Sequence, residues 1–208
     1  MPAFQTPAPI AVTVEILSGR VTVDAADRTE TVVEVRPADP AKKGDVRAAE
    51  LTQVDFTDGV LTVKTPKQWR TYTPFGGNPS IEVTIQVPTG SRLTGSAGVG
   101  SIHGTGELGD TALEIAVGEI IVDRPRGSVT AKAAKGDIRI GEAVRGVMRL
   151  ETSMGELEVG IHPGSAAQLD TNGNGGVHNR LAPVGPDSET VQVIARNTMG
   201  NIIIRHAA

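Results

Sequence analysis

Gly100-Ser101-Ile102, Gly118-Glu119-Ile120, Gly136-Asp137-Ile138, Gly155-Glu156-Leu157, Gly175-Gly176-Val177 and Gly200-Asn201-Ile202 repeat one phrase through the second half of the chain. Each is a glycine, a mostly polar residue and an aliphatic, and successive glycines lie 18, 18, 19, 20 and 25 residues apart. A near-constant period punctuated by glycine is the mark of a stacked repeat. With glycine as position zero, +2 is aliphatic in every copy, +3 is mostly polar, and +4 is mostly aliphatic again. Alternation with period two predicts a half-buried strand, with +2 and +4 inward and +1 and +3 outward.

A second short strand precedes each glycine, as in Ala112–Ala116, Met148–Thr152 and Gln192–Ala195. Position −2 is small throughout (Gly98, Ala116, Ala134, Ser153, Gly173, Thr198), which with the glycine suits a tight corner. Units of this length are too short for a β-α-β element of about 30 residues, and the repeat has no helical periodicity. The expected fold is all-β: a β-solenoid, single-stranded and β-helix-like, with coils of about 18–20 residues whose strands pair in register about 4.8 Å apart. An antiparallel meander would also leave one glycine per unit, but like residues recurring in columns favour parallel stacking.

Residues 1–90 are read as lacking the phrase and are expected to form an antiparallel β-region that caps the solenoid of residues 91–208, the two making one continuous unit. Arg20–Val23 and Thr31–Val35 are expected as antiparallel neighbours, Asp45–Glu50 as a turn or two of helix, and Val54–Val63 as a hairpin turning on Asp58-Gly59. Glycine is abundant (25 of 208 residues) and aromatics are scarce at 2%, so the core is built from Val, Ile, Leu and Ala, as thin stacked sheets require. A net charge of −4 argues against nucleic-acid binding. The absence of cysteine excludes disulfides and thiolate metal sites. Met1–Pro9 does not read as a secretory signal and no apolar run is long enough to span a bilayer, so a soluble, cytoplasmic protein is expected without membrane insertion.

Phe4–Ile10, Thr31–Lys43, Ser153-Met154-Gly155-Glu156-Leu157 and Thr198–Arg205 together carry a resemblance over nearly the whole chain. The sequence resembles the putative-adhesin family of bacterial β-strand-repeat proteins, a domain of unknown function common in actinobacteria and other Gram-positive bacteria. The resemblance implies a β-strand-repeat fold and brings no catalytic signature. Some members carry a membrane anchor and are linked with envelope stress.

Six sets of residues bear on function. Trp69, Arg70, Tyr72 and Phe75 gather three of the five aromatics in one loop and are of the types enriched at binding hot spots, or else they plug the end of the core. Glu119, Asp137 and Glu156 recur at +1, where stacking would line carboxylates up about 5–6 Å apart. That line is a Ca²⁺ ladder or a carbohydrate-cleaving acid pair in one reading, and a solvated face screened by salt in the other. The neighbouring column at −4 (Glu114, Lys132, Glu151) alternates in sign. His103, His162, His178 and His206 show no ligand spacing, and Asn172–Gly176 lacks the following helix of a phosphate loop. Ile202, Ile203 and Ile204 form an aliphatic strand in the last coil, an edge through which a homodimer could pair. The expected function is a non-enzymatic scaffold or interaction module for an unidentified protein partner, with self-association through that coil, no metal and no cofactor. The alternative is a carbohydrate-active or Ca²⁺-binding β-helix protein using the acidic ladder.

Overall fold

The structure, a computed structural model, describes residues 1–66, 79–181 and 188–207. Among these residues it is all-β apart from one short helix. The chain runs β1 (Ala3–Gln5), β2 (Ala11–Ala26), β3 (Glu30–Pro37), α1 (Lys43–Leu51), β4 (Gln53–Thr57), β5 (Val60–Lys64) and β6 (Ile81–Pro88). It continues as β7 (Arg92–Leu108), β8 (Thr111–Pro125), β9 (Val129–Lys135), β10 (Ile138–Ala143), β11 (Gly146–Met154) and β12 (Leu157–Ile161). The last strands are β13 (Ala166–Gly173), β14 (Val177–Asn179), β15 (Thr190–Met199) and β16 (Ile202–His206). All belong to one hydrogen-bonded sheet that mixes parallel and antiparallel pairs and stays open.

Each repeat bends at its glycine and sends one arm to each of two ladders. β8 makes the bend within a single strand at Gly118; in the next unit the arms are β9 and β10. Pairing is parallel and in register: Gly100 faces Gly118, Ile102 faces Ile120, Ile120 faces Ile138, and Ile138 faces Leu157. In the other ladder Leu113 faces Ala131, and Ala131 faces Leu150. The inward columns are buried as the alternation predicts, except in the Val177 copy, where Val177 and Asn179 are exposed. Ile102, Ile120, Ile138, Leu157 and Ile202 are at most 1% exposed, and Val122, Ile140, Val159 and Ile204 are fully buried. Burial of such a side chain stabilises by about 1.5–3 kcal/mol, so the columns dominate the energetics.

The N-terminal region departs from the expected antiparallel sheet. β2 pairs parallel with β7 from Ala11–Arg92 to Ala25–Gly106, across the expected boundary at residue 90. Its other edge pairs parallel with β5 and β6. Among the described residues only β1–β3, β3–β6 and β4–β5 are antiparallel. Arg20–Val23 and Thr31–Val35 are therefore not neighbours, because β6 lies between them. The cause is Gly19, which is a corner and not a hairpin turn. It has φ 140°, and a Cβ there would stand 1.9 Å from the Ile81 carbonyl oxygen. Gly19-Arg20-Val21 is itself a copy of the phrase, displaced far upstream.

The other end is reordered too. β15 lies between β11 and β13, and β16 lies between β12 and β14. The last unit in the chain is thus inserted one place before the end, and β13–β14 form the outer layer. Composition explains the order. The inserted unit turns Val191, Val193, Ala195, Ile202 and Ile204 inward, all essentially buried. The outer one offers Leu169, Thr171, Gly173 and Asn179, and its Val177 is 45% exposed. A layer paired on one side only among the described residues is the place for the less apolar unit.

At the opposite end α1 packs on β3, burying Ala48, and the Phe4 and Phe56 rings meet at 5.0 Å. The buried Asp45 carboxylate ties the helix down by accepting the Ser80 and Asp39 N–H groups at 3.0 and 3.2 Å. The helix spans the predicted Asp45–Glu50. The Asp58-Gly59 hairpin also forms, with φ 51° and 76° at its two central residues. Among the described residues no helix is long and apolar enough to cross a membrane.

Candidate functional site

The corner leaves two successive positions, −1 and −2, outside the core. At −1 the register sets Val99 beside Val117, then Lys135, Met154 and Met199. Four of these are large apolar side chains 39–57% exposed, in one line along the stack. At −2 the small residues Gly98, Ala116, Ala134 and Ser153 line a groove of about 510 Å³, with Glu114 and Lys132 on its flank. The small residues that read as corner requirements in the sequence thus also hollow the surface beside an apolar ridge. Sequence reasoning had the −2 column and missed the ridge, because Val, Val, Lys, Met and Met form no uniform column.

The −4 column alternates in sign as expected. Lys132 Nζ lies 3.3 Å from Glu151 Oε2, with both side chains more than half exposed. Beyond Glu151 the inserted layer places Arg196, whose guanidinium reaches Asp170 Oδ2 at 2.7 Å. Arg196 holds the Asp170 carboxyl below the ordinary aspartate range through that hydrogen bond.

On the second ladder the +1 carboxylates of Glu119 and Asp137 have separate partners. Glu119 Oε1 lies 3.1 Å from His103 Nε2, and Asp137 Oδ1 accepts the Glu156 N–H at 2.7 Å. Among the described residues no group of three or more His, Asp or Glu could hold a metal ion. The more organised cluster is one the sequence reading passed over. Glu158 accepts from Arg205 Nε at 2.6 Å and Arg139 Nε at 2.7 Å, and its side chain is only 16% exposed. Burial pushes the Glu158 carboxyl up, but the Arg205 and Arg139 hydrogen bonds outweigh it and hold it below the ordinary range.

The histidines stand apart. His162 sits in a turn, accepting the Gly164 N–H at Nδ1, with Glu142 3.8 Å away. His178 lies on the outer layer and is separated from His103 by one more layer than the chain order implies. Asn172–Gly176 leads from β13 to β14 with no helix after it. Ile202, Ile203 and Ile204 are flanked by Leu157–Val159 on one side and Val177–Asn179 on the other. The expected open edge at these residues is thus corrected: their strand is paired on both sides. Trp69, Arg70, Tyr72 and Phe75 lie outside the described residues.

No protein-family model matches the chain, and no curated protein does. Solved structures of related shape include a putative cell adhesion protein from Clostridium sporogenes ATCC 15579, at 12% identity and TM-score 0.46 over 99% of this chain and 98% of that one. Another is a putative adhesin from Bacteroides fragilis NCTC 9343, at 13% identity and TM-score 0.49 over 98% and 95%. A third is a putative lipid binding protein from Parabacteroides distasonis ATCC 8503, at 9% identity and TM-score 0.34 over 100% and 94%. None of these sources is an actinobacterium.

Proposed function

We propose that this protein is a non-enzymatic interaction module, a β-solenoid whose rigid stack presents one long surface to a protein partner. The observation that carries this reading is the apolar ridge of Val99, Val117, Met154 and Met199 beside a groove floored by small residues. Separate exposed apolar residues are ordinary on a soluble protein, but an aligned set next to a groove marks a contact surface. In-register parallel pairing over successive glycine corners supports the solenoid. Because the ladders hold the backbone on both sides, the ridge is preorganised and binding would order few new groups. A photo-crosslinking amino acid placed at Val117 or Met154 in host cells should form an adduct with a distinct protein. The same residue at Arg20 or Arg149, off the ridge, should not. No adduct from the ridge positions, or equal adducts from both sets, would overturn the reading.

A further inference from the structure

We propose that two copies of this chain join end to end about a two-fold axis through Gly175, so that β13 of each copy pairs antiparallel with β14 of the other. The contact lies across the end of the stack and uses neither the apolar ridge nor its groove, so it goes beyond the partner reading above.

β13 pairs with β15 and β14 with β16, and among the described residues neither has a neighbour on its other side. A free edge is a template for pairing unless proline, lysine or a bulge blocks it. Neither Ala166–Gly173 nor Val177–Asn179 contains proline or lysine, and both are paired in unbroken register. The groups left free follow from those already used, because successive residues of a strand turn their N–H and C=O to opposite sides. The Ala166 N–H bonds the Glu189 carbonyl, so Gln168, Asp170 and Asn172 also face β15. Leu169, Thr171 and Gly173 then aim their backbone groups at the free edge. On β14 the Arg180 N–H bonds the Ile204 carbonyl and the Gly176 carbonyl accepts from Ile202, which leaves the groups of Val177 and Asn179 free.

The same residues belong to the inward columns: Leu169, Thr171 and Gly173 follow Val193, Ala195 and Asn197, while Val177 and Asn179 follow Ile202 and Ile204. Edge-facing backbone and inward side chains thus coincide on both strands, as pairing one with the other requires. The corner fixes the register. A one-residue slip sets an inward residue against an outward one. A slip of two takes Gly175 off its counterpart, whereas Gly175 already sits on the Gly200 corner of its own chain. With Gly175 on Gly175, Val177 faces Gly173 of the other copy and Asn179 faces Thr171, each pair exchanging backbone hydrogen bonds. His178 falls opposite Asn172, and Arg180 opposite Asp170. Asp170 gives Oδ2 to Arg196 of its own chain, and Oδ1 is left for the exposed Arg180 of the copy. The contact also covers Val177, which is 45% exposed in one copy. It uses one patch twice and closes on itself.

A disulfide tests the register without background, since the chain has no cysteine. Antiparallel partners that do not exchange hydrogen bonds have Cα atoms about 4.5 Å apart, within disulfide reach. His178→Cys mixed with Asn172→Cys and oxidised should give a crosslinked dimer. Neither variant alone should, because the axis sets each of these residues on the opposite arm from its own copy. In sedimentation equilibrium from micromolar to millimolar protein the wild type should dimerise. Thr171→Pro removes an edge-facing N–H that its own chain does not use, so it should keep the wild-type circular dichroism and weaken the dimer about tenfold or more. A wild type that stays monomeric overturns the proposal. So does a mixture without the crosslink, equal crosslinking in the single variants, or a folded Thr171→Pro that dimerises like the wild type. Should Thr171→Pro unfold, the cysteine mixture decides. Each result is independent of ridge crosslinking.

Discussion

Gly200 lies directly on Gly155, although the Gly175 copy comes between them in the chain. A Cβ on Gly200 would stand 2.0 Å from the Gly155 carbonyl oxygen, and a Cβ on Gly175 would stand 1.7 Å from that of Gly200. The three corners therefore stack in the order 155, 200, 175. The N-terminal end does the same, with β2 held between β6 and β7. Chain ends fray unless tied down; here β2 and the β15–β16 unit are each hydrogen-bonded on two sides, while the short β1 pairs with β3 alone.

Gly118→Ala should destabilise the fold by roughly 3–5 kcal/mol, because it adds backbone strain to a backbone clash. The new Cβ would stand 1.7 Å from the Gly100 carbonyl oxygen. Gly59→Ala is the control: its φ is 76° but nothing lies within 4 Å, so only the left-handed penalty of about 1–2 kcal/mol remains. Urea unfolding of both variants measures the difference. Equal costs would mean that the corners do not stack as described.

Ile202→Asp and Val177→Asp occupy the same column position in adjacent layers. Ile202 is 1% exposed and Val177 is 45% exposed. The first should cost more than about 3 kcal/mol, as a charge placed in a core does, and the second less than about 1 kcal/mol. Reversed costs would restore the chain order of the layers.

Stability should fall in acid through Glu158. Its carboxyl is held below the ordinary range in the folded state, so it stabilises above the unfolded pKa of about 4.3. That contribution is lost as pH falls through the lower folded value. Glu107, hydrogen-bonded to Arg126, and Asp170, hydrogen-bonded to Arg196, shift the same way at the exposed surface. Glu158→Gln should leave a shallower decline of melting temperature between about pH 5 and 2 than the wild type shows. Identical declines would mean that the two arginines do not favour the ionised form.

Millimolar Ca²⁺ should leave the melting temperature unchanged, since a ligand stabilises only by binding the native state. Glu119 is turned to His103 and Asp137 to the Glu156 N–H, away from any shared centre. A rise of several degrees that is lost when Glu119, Asp137 and Glu156 are replaced by amides would revive the acidic ladder as a metal site.

Much of the surface chemistry was legible as columns. The alternating charges of Glu114, Lys132 and Glu151 needed only the repeat spacing, and the Lys132–Glu151 ion pair follows from adjacent layers. The Arg139–Glu158–Arg205 cluster was not legible, because Arg205 belongs to the last unit and meets Glu158 only through the insertion. Arg196 joins the −4 column by the same route. The ridge escaped notice because a lysine interrupts it.

By itself the sequence determined what is local: which residues alternate inward, where glycine must turn a corner, and that Asp58-Gly59 closes a hairpin. Each rests on interactions within a few residues, where backbone sterics and side-chain periodicity decide. Only the tertiary structure decided the order of the layers. Parallel in-register pairing is made by backbone groups that every unit shares, so one glycine-cornered layer fits on another regardless of its place in the chain. The choice falls to burial, which sets Val191, Val193, Ile202 and Ile204 inside and leaves Val177 and Asn179 at the end.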